Sequence, residues 1–385
     1  MRRPLLGTAA LLLLVLAAWL LLAPVPADPV AWQAPPNPGY TGPFAANTRL
    51  AALQSIDLLG GATGAEHVAL GPDGHLYAAV VGGSILRMRP DGSGQEIWAQ
   101  TGGRVLGFEF DGNGRMIAAD ALRGLLAIAA EPPHHVTLLA DRMPDGDPIR
   151  FPDAVAVARD GSVYFTDATR RFAPAEVGGP FEASVLDYLE HRPTGRVLVY
   201  QPRGKLEVVA DGLSFPNGIV LSQDRRFLFV AETGAYRVWR IDAGARGLDL
   251  AHGPNAQARV ILDHLPGFPD NLTRGMDGRI WLGLAKPRTA SADAMAAHPF
   301  MRKLALRLPR ALWPVPASYG HVLAFTEDGR VVADLQDPRG AYPETTGVLE
   351  TADRLYIQSL HAPVLAWLPK TRAGLDERLR STGQP

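Results

Sequence analysis

Residues 72–92 read "PDGHLYAAVVGGSILRMRPDG": a Pro-Asp-Gly turn, a short apolar strand, a Gly-Gly turn, a second strand and a second Pro-Asp-Gly. Asp and Gly at these points supply the locally bonded or left-handed backbone that tight turns need. Leu76, Tyr77, Ala78, Ala79 and Val80 mix large apolar side chains with small ones. Such a strand wants neighbours on both faces. The same phrase returns in "GNGRMIAADALRGLLAIAA" from Gly112, "RDGSVYFTDATRRF" from Arg159 and "QDRRFLFVAETGAYRVWRID" from Gln223. It returns again in "MDGRIWLGLAKPR" from Met276 and "ADRLYIQSLHAPVLAWLP" from Ala352. Recurrence at roughly 40 to 75 residues falls in the range of propeller blades, whose radial stacking covers both strand faces. The pattern predicts an all-β chain folded as a six-bladed β-propeller over 46–375, followed by a tail at 376–385.

Composition narrows the function. Thirty-eight basic residues against 39 acidic ones leave no basic excess for a nucleic-acid surface. With no cysteine, disulfides and thiolate chemistry are excluded. The N-terminus carries Arg2 and Arg3 and then an uncharged apolar stretch from Leu5 to Ala23, close to the ~20 residues that span a bilayer. Residues 1–27 are read as a signal anchor, or transmembrane helix, and 28–45 as a linker. Cleavage after "VPA" at 25–27 is the alternative, giving a secreted protein. The positive-inside rule keeps the arginines in the cytoplasm and puts the main domain outside it, in the periplasm if the source is bacterial.

Two segments interrupt the repeat. "SADAMAAHPFMRKLALRLPRALWP", 291–314, mixes helical apolar spacing with basic residues, and Pro299 and Pro309 divide it into short pieces. It is expected as a short helical rim insertion that covers the central opening, rests on a membrane, or fills a gap between blades. The excursion at 170–195 is expected as further rim material.

Four acids and amides hold matched places before successive copies of the phrase. Glu66 lies in "GAEHVAL", Asp153 in "RFPDAV", Asn217 in "SFPNGI" and Asp270 in "LPGFPDNL". Equivalent positions in successive blades lie at equivalent heights around the axis, so these side chains are expected to converge on the central channel. Three carboxylates and an amide placed together repel unless a cation lies between them. An all-oxygen set suits Ca²⁺ better than octahedral Mg²⁺, and no Cys or clustered His serves zinc.

On "GAEHVAL", "AADALRGL", "DGSVYFTDAT", "DYLEHRPTGRVLVY", "LSFPNGIVLS", "FVAETGAYRVWR", "LPGFPDNL" and "HVLAFTEDGRVVADLQDP", the chain resembles the strictosidine synthase-like branch of the gluconolactonase and paraoxonase superfamily. Within that branch it looks like adipocyte plasma membrane-associated proteins and their bacterial relatives. The resemblance implies one catalytic Ca²⁺ in the channel held by Glu66, Asp153, Asn217 and Asp270, with Asn271 as a further ligand. It also implies that Asp270 is the base for water or a nucleophile. The implied activity is hydrolysis of lactones or aryl esters. The alternative is a non-catalytic, metal-stabilised propeller that binds a small ligand or a protein.

The chain also departs from the pattern. His67 and Ala154 stand where paraoxonase-like members place a second calcium's acids, and Ala121 falls near their catalytic histidine. Thr346 falls near the glutamate of true strictosidine synthases, with Glu344 close by but out of register. Amine–aldehyde condensation is therefore not expected. His67 and His361 are expected near the channel mouth.

Overall fold

The computed structural model describes residues 2–375, with the side chains of 2–7, 9 and 10 outside the described set. Met1 and the expected tail at 376–385 lie outside the described residues. Six sheets follow one another along the chain, antiparallel except where Leu248–Asp249 adds in parallel to the edge of the third. Blade one runs from His67 to Gln100, blade two from Val105 to Ala140 and blade three from Pro152 to Leu213. Blade four runs from Pro216 to Leu262 and blade five from Gly267 to Asp337. Blade six combines Thr345–Pro369 with the strand Gln54–Asp57, which pairs with Val364–Pro369 and closes the ring with the other end of the domain. The six-bladed propeller is the fold.

In blades one to five the first strand in sequence is the innermost, in blade six the innermost is Thr345–Glu350, and neighbouring inner strands pack on one another around the axis. The recurring phrase of the sequence forms the second strand of every blade and, in most, the third. Trp239 and Trp281, both fully buried, fill inter-blade cores. Their indole N–H groups donate to Glu232 Oε2 at 2.6 Å and to Glu350 Oε2 at 2.7 Å. Burial of each ring contributes roughly 2–3 kcal/mol, and its polar edge is satisfied.

Up-and-down pairing fixes which connections share a rim. Inner strands start on one rim, strands one and two join on the other, and connections between strands two and three return to the first. Both insertions are of this last kind, so both lie over the starts of the inner strands. Helix α1 is Arg2–Leu22. In blade three, α2 (Pro174–Val177) and α3 (Pro180–Glu190) follow strand Val163–Asp167. In blade five, α4 (Ala290–Met295) and α5 (Pro299–Leu306) follow strand Ile280–Pro287. Proline opens α2, α3 and α5, where its missing N–H is not needed. The helix α3, in a stretch expected only as rim material, buries Ala183, Leu186 and Leu189.

Among the described residues no helix is long and apolar enough to cross a membrane, and the expected span at 1–27 falls partly on side chains outside the described set. The segment 28–45 is docked on the insertions rather than hanging free. Val30 N–H donates to the Glu190 carbonyl at 2.9 Å, Trp32 stacks on His191 at 3.7 Å, and Phe44 is buried.

Candidate metal centre

Three inner strands begin with the same device. Pro152 pairs with Asp167 and Val155 with Phe165, so the inner strand fits one extra residue around Asp153 and Ala154. Pro216 and Ile219 do the same around Asn217 and Gly218, as do Pro269 and Leu272 around Asp270 and Asn271. A β-bulge bends a strand and re-aims its side chains. Here it turns Asp153, Asn217 and Asp270 into one cavity, which Glu66 of blade one also lines. The equivalent bulge in blade two presents Leu106 to the same cavity. Gly218 allows the blades to approach this closely: a Cβ there would lie 2.1 Å from Leu272 N and 2.6 Å from the Asp270 carbonyl oxygen.

The expected four therefore meet, and the fifth candidate joins them from one side. Asn271, buried, donates from Nδ2 to the Glu66 carbonyl at 3.2 Å and to Glu66 Oε1 at 3.1 Å. The Asn217 side chain faces the Asp270 carboxylate and favours its ionised form. Both amides leave their Oδ1 buried without a partner, and Glu66 Oε2 is likewise unpartnered. Three unpartnered acceptors from three of five candidate ligands have the chemistry a hard cation would take. Among the described residues, however, no three His, Asp or Glu side chains are gathered as a preformed metal cluster. Two of the five candidates are amides, and the acids lie around the cavity instead of in contact.

Electrostatics agree with the fit. Burial pushes the Glu66 carboxyl up, opposed mainly by Arg104. Burial, then the charge of Glu66, holds Asp153 well above the usual range; burial, Glu66 and Asp153 do the same to Asp270. A like charge costs ~4 kcal/mol at about 4 Å and an effective dielectric near 20, and less at longer range. A single amide hydrogen bond returns only ~1 kcal/mol. Burial and mutual repulsion thus disfavour simultaneous ionisation of the three carboxylates, and a cation among them would relieve both.

Other residues of the site were not singled out in the sequence, Glu344 and His361 excepted. Buried Arg104 donates to the carbonyls of Gly64 (3.1 Å) and Leu360 (3.3 Å), and its Nη2 lies 4.0 Å from Glu66 Oε2. Glu344 lines the cavity, pairs with Lys286 Nζ at 3.0 Å and bonds His361 Nδ1. Burial pushes Glu344 up, but His361 and Lys286 together hold it below its ordinary value. Its backbone is left-handed, at φ 50°. Acids closing the second strands brace the inner-strand starts: Asp167 Oδ1 accepts from Phe151 N at 2.9 Å, and Glu232 Oε1 from Ser214 N at 2.8 Å. The recurring "FTD" and "VAE" were their signal.

The two histidines separate. His361 is half exposed on the rim, beside Phe181 of α3. His67 is not at the mouth: it lines the opposite end of the channel, edge-on to Phe108 at 4.8 Å, and burial lowers it to about 4. Its side chain leaves the cavity because the strand His67–Leu70 starts one residue after Glu66, and successive side chains alternate. Above the acids the walls are apolar, with Phe151, Phe181, Val185, Tyr188, Phe215 and Phe268 among them, and Pro314–Pro316 close one side. Both insertions thus form a cap over the channel.

A propeller with an oxygen-rich floor in its axial channel is the class these features define. The SMP-30/gluconolactonase/LRE-like region model matches residues 71–292, and the strictosidine synthase-like N-terminal model matches 42–88. The chain belongs to the strictosidine synthase-like family within the gluconolactonase-type propellers. It is 30% identical over 336 residues to protein strictosidine synthase-like 10 of Arabidopsis thaliana, covering 80% of this chain and 85% of that one. It is 29% identical over 276 residues to adipocyte plasma membrane-associated protein of Bos taurus, covering 69% and 64%. Among solved structures it shares its fold with a gluconolactonase from Xanthomonas campestris (TM-score 0.58, 20% identity, 90% of this chain and 99% of that one). It also shares the fold of a calcium-binding regucalcin from Agrobacterium tumefaciens (TM-score 0.51, 14% identity, 82% and 90%).

Proposed function

We propose that the protein is a Ca²⁺-dependent hydrolase of lactones or aryl esters. The observation that carries this reading is the set of buried, unpartnered oxygens Glu66 Oε2, Asn217 Oδ1 and Asn271 Oδ1: Glu66 and Asn217 line the floor of an apolar cavity, and Asn271 is tied to Glu66 beside it. Glu66, Asp153, Asn217, Asp270 and Asn271 would hold the ion. When bound, it would polarise a carbonyl and stabilise the developing oxyanion. The names of the regucalcin and gluconolactonase neighbours agree with calcium and with a lactone substrate.

The chain's own residues do the rest. Asp270, faced by the Asn217 side chain, takes the proton of an attacking water or attacks the carbonyl carbon itself. The phenylalanines and the cap exclude bulk water and select an apolar aryl or alkyl substrate over a polyhydroxylated one. Glu344, Lys286 and His361 form the polar side of the wall.

Non-catalytic binding is the second reading, favoured by Ala121. This residue is buried in the core beneath the cap, so no imidazole occupies that position. Amine–aldehyde condensation has less support still, because Thr346 commits its hydroxyl to the Glu66 carbonyl at 3.2 Å.

Residues 1–27 are proposed as the membrane anchor, with the propeller outside the cytoplasm, or as a cleaved signal of a secreted form. The test of the activity is a panel of lactones and phenyl esters. Turnover should vanish with EGTA, return with Ca²⁺, and fall at least ~10²-fold in Asp270→Asn. Calcium binding without turnover anywhere on the panel would select the binding reading.

A further inference from the structure

We propose that the rim carrying the cavity mouth rests on a phospholipid bilayer with anionic headgroups, so that the cavity opens toward lipid. This builds on the anchoring reading of residues 1–27 and is independent of the reaction. The chain leaving α1 is fastened to the cap at several points. Arg307 Nε donates to the Ala23 carbonyl at 2.7 Å, and Asp28 pairs with Lys303 at 2.8 Å and with Arg192 at 2.7 Å. Arg302 is buried and bonds the carbonyls of Val30, Leu189 and Ala296. The point where the apolar helix emerges is therefore fixed on the mouth side of the propeller.

The cap itself offers lipid a surface. Phe300, Met301 and Leu312 are 53%, 46% and 62% exposed, and α1 exposes Leu11–Leu14 above 60%. Val315 is both exposed and part of the cavity wall. Its neighbour Trp313 packs in the same cluster as Val25, so the helix exit, the exposed apolar turn and the mouth adjoin. From Pro299 to Trp313 the chain carries no acid, and besides the buried Arg302 its basic side chains are Lys303, Arg307 and Arg310. Asp28 and Glu182 answer two of these from neighbouring segments. Exposed apolar side chains interleaved with basic ones, continuous with an apolar helix, fit the boundary between headgroups and acyl chains. A protein partner has no comparable feature in its favour.

The chain has no cysteine, so single-cysteine spin labels report cleanly. Full-length protein carrying Leu312→Cys, Met301→Cys or, on the opposite rim, Asp328→Cys is labelled and mixed with phosphatidylcholine vesicles, with or without phosphatidylglycerol. The chain should float with the vesicles, more completely with phosphatidylglycerol present. Labels at 312 and 301 should show a several-fold rise in collisions with oxygen relative to a nickel chelate, and 328 none. Flotation with 312 and 301 as water-exposed as 328 would overturn the orientation while leaving the anchor. Absence of flotation would remove both. Labels shielded from oxygen and nickel alike would mean that protein, not lipid, covers this face, and would also overturn the proposal.

Discussion

Asn271, on blade five, donates from one amide nitrogen to both the backbone carbonyl and the carboxylate of Glu66, on blade one, joining non-adjacent blades across the channel. That contact orients Glu66 and leaves Asn271 Oδ1 facing no partner. Groups that orient a metal ligand typically alter affinity ~10–100-fold when removed. Asn271→Ala should weaken calcium binding by that factor in a calorimetric titration, with the propeller still folded by circular dichroism.

Arg104 gives a prediction of opposite sign for binding and for stability. Its charge lies 4.0 Å from Glu66 Oε2, and it satisfies two carbonyls. Arg104→Met removes a competitor of the cation but orphans those carbonyls. Unfolding in EGTA should become easier by ~2–4 kcal/mol, while calcium affinity rises several-fold. A fall in affinity would place Arg104 in support of the ion instead.

Gly218 tests the close approach of blades four and five. Its Cβ would meet backbone atoms of Asp270 and Leu272, which cannot swing away as a side chain can. Gly218→Ala should cost ~1–3 kcal/mol and weaken calcium binding, since the blades must part at the ligand itself. Gly112→Ala, where a Cβ meets nothing within 4 Å, is the control.

Asp187, on α3, makes the cap sensitive to pH. Burial chiefly, with Glu190 adding to it, lifts its carboxyl from 3.8 to about 8, against the opposing effects of Thr169 and Arg171. Below 3.8 both folded and unfolded states hold the proton and the group is neutral to stability. Between 3.8 and 8 only the unfolded state releases it, so stability falls as pH rises, by ~1.4 kcal/mol per unit at most. Asp187→Asn should raise Tm over wild type at pH 8 and leave it unchanged near pH 3.5. An equal gain at both pH values would show a packing effect.

Repetition is what made the floor of the site legible. "FPD", "FPN" and "FPDN" start three inner strands, and each places its acid or amide on a bulge, although the bulge leaves no residue signature of its own. The fourth candidate, Glu66, lacks that form and was reached through its position relative to the following strand. Arg104, Lys286 and Glu344 had no repeated neighbour to mark them, because their roles come from contacts between blades far apart in sequence. The docking of 28–45 and the helix α3 were hidden for the same reason: burial against the cap, not local pattern, holds them.

The central claim is one calcium ion in the channel. It is tested most directly by the metal content of the purified full-length chain, measured by mass spectrometry after dialysis against trace Ca²⁺. One calcium per chain is expected in the wild type and none in Glu66→Gln combined with Asp270→Asn. A wild type without stoichiometric calcium, or a double variant that retains it, would contradict the account.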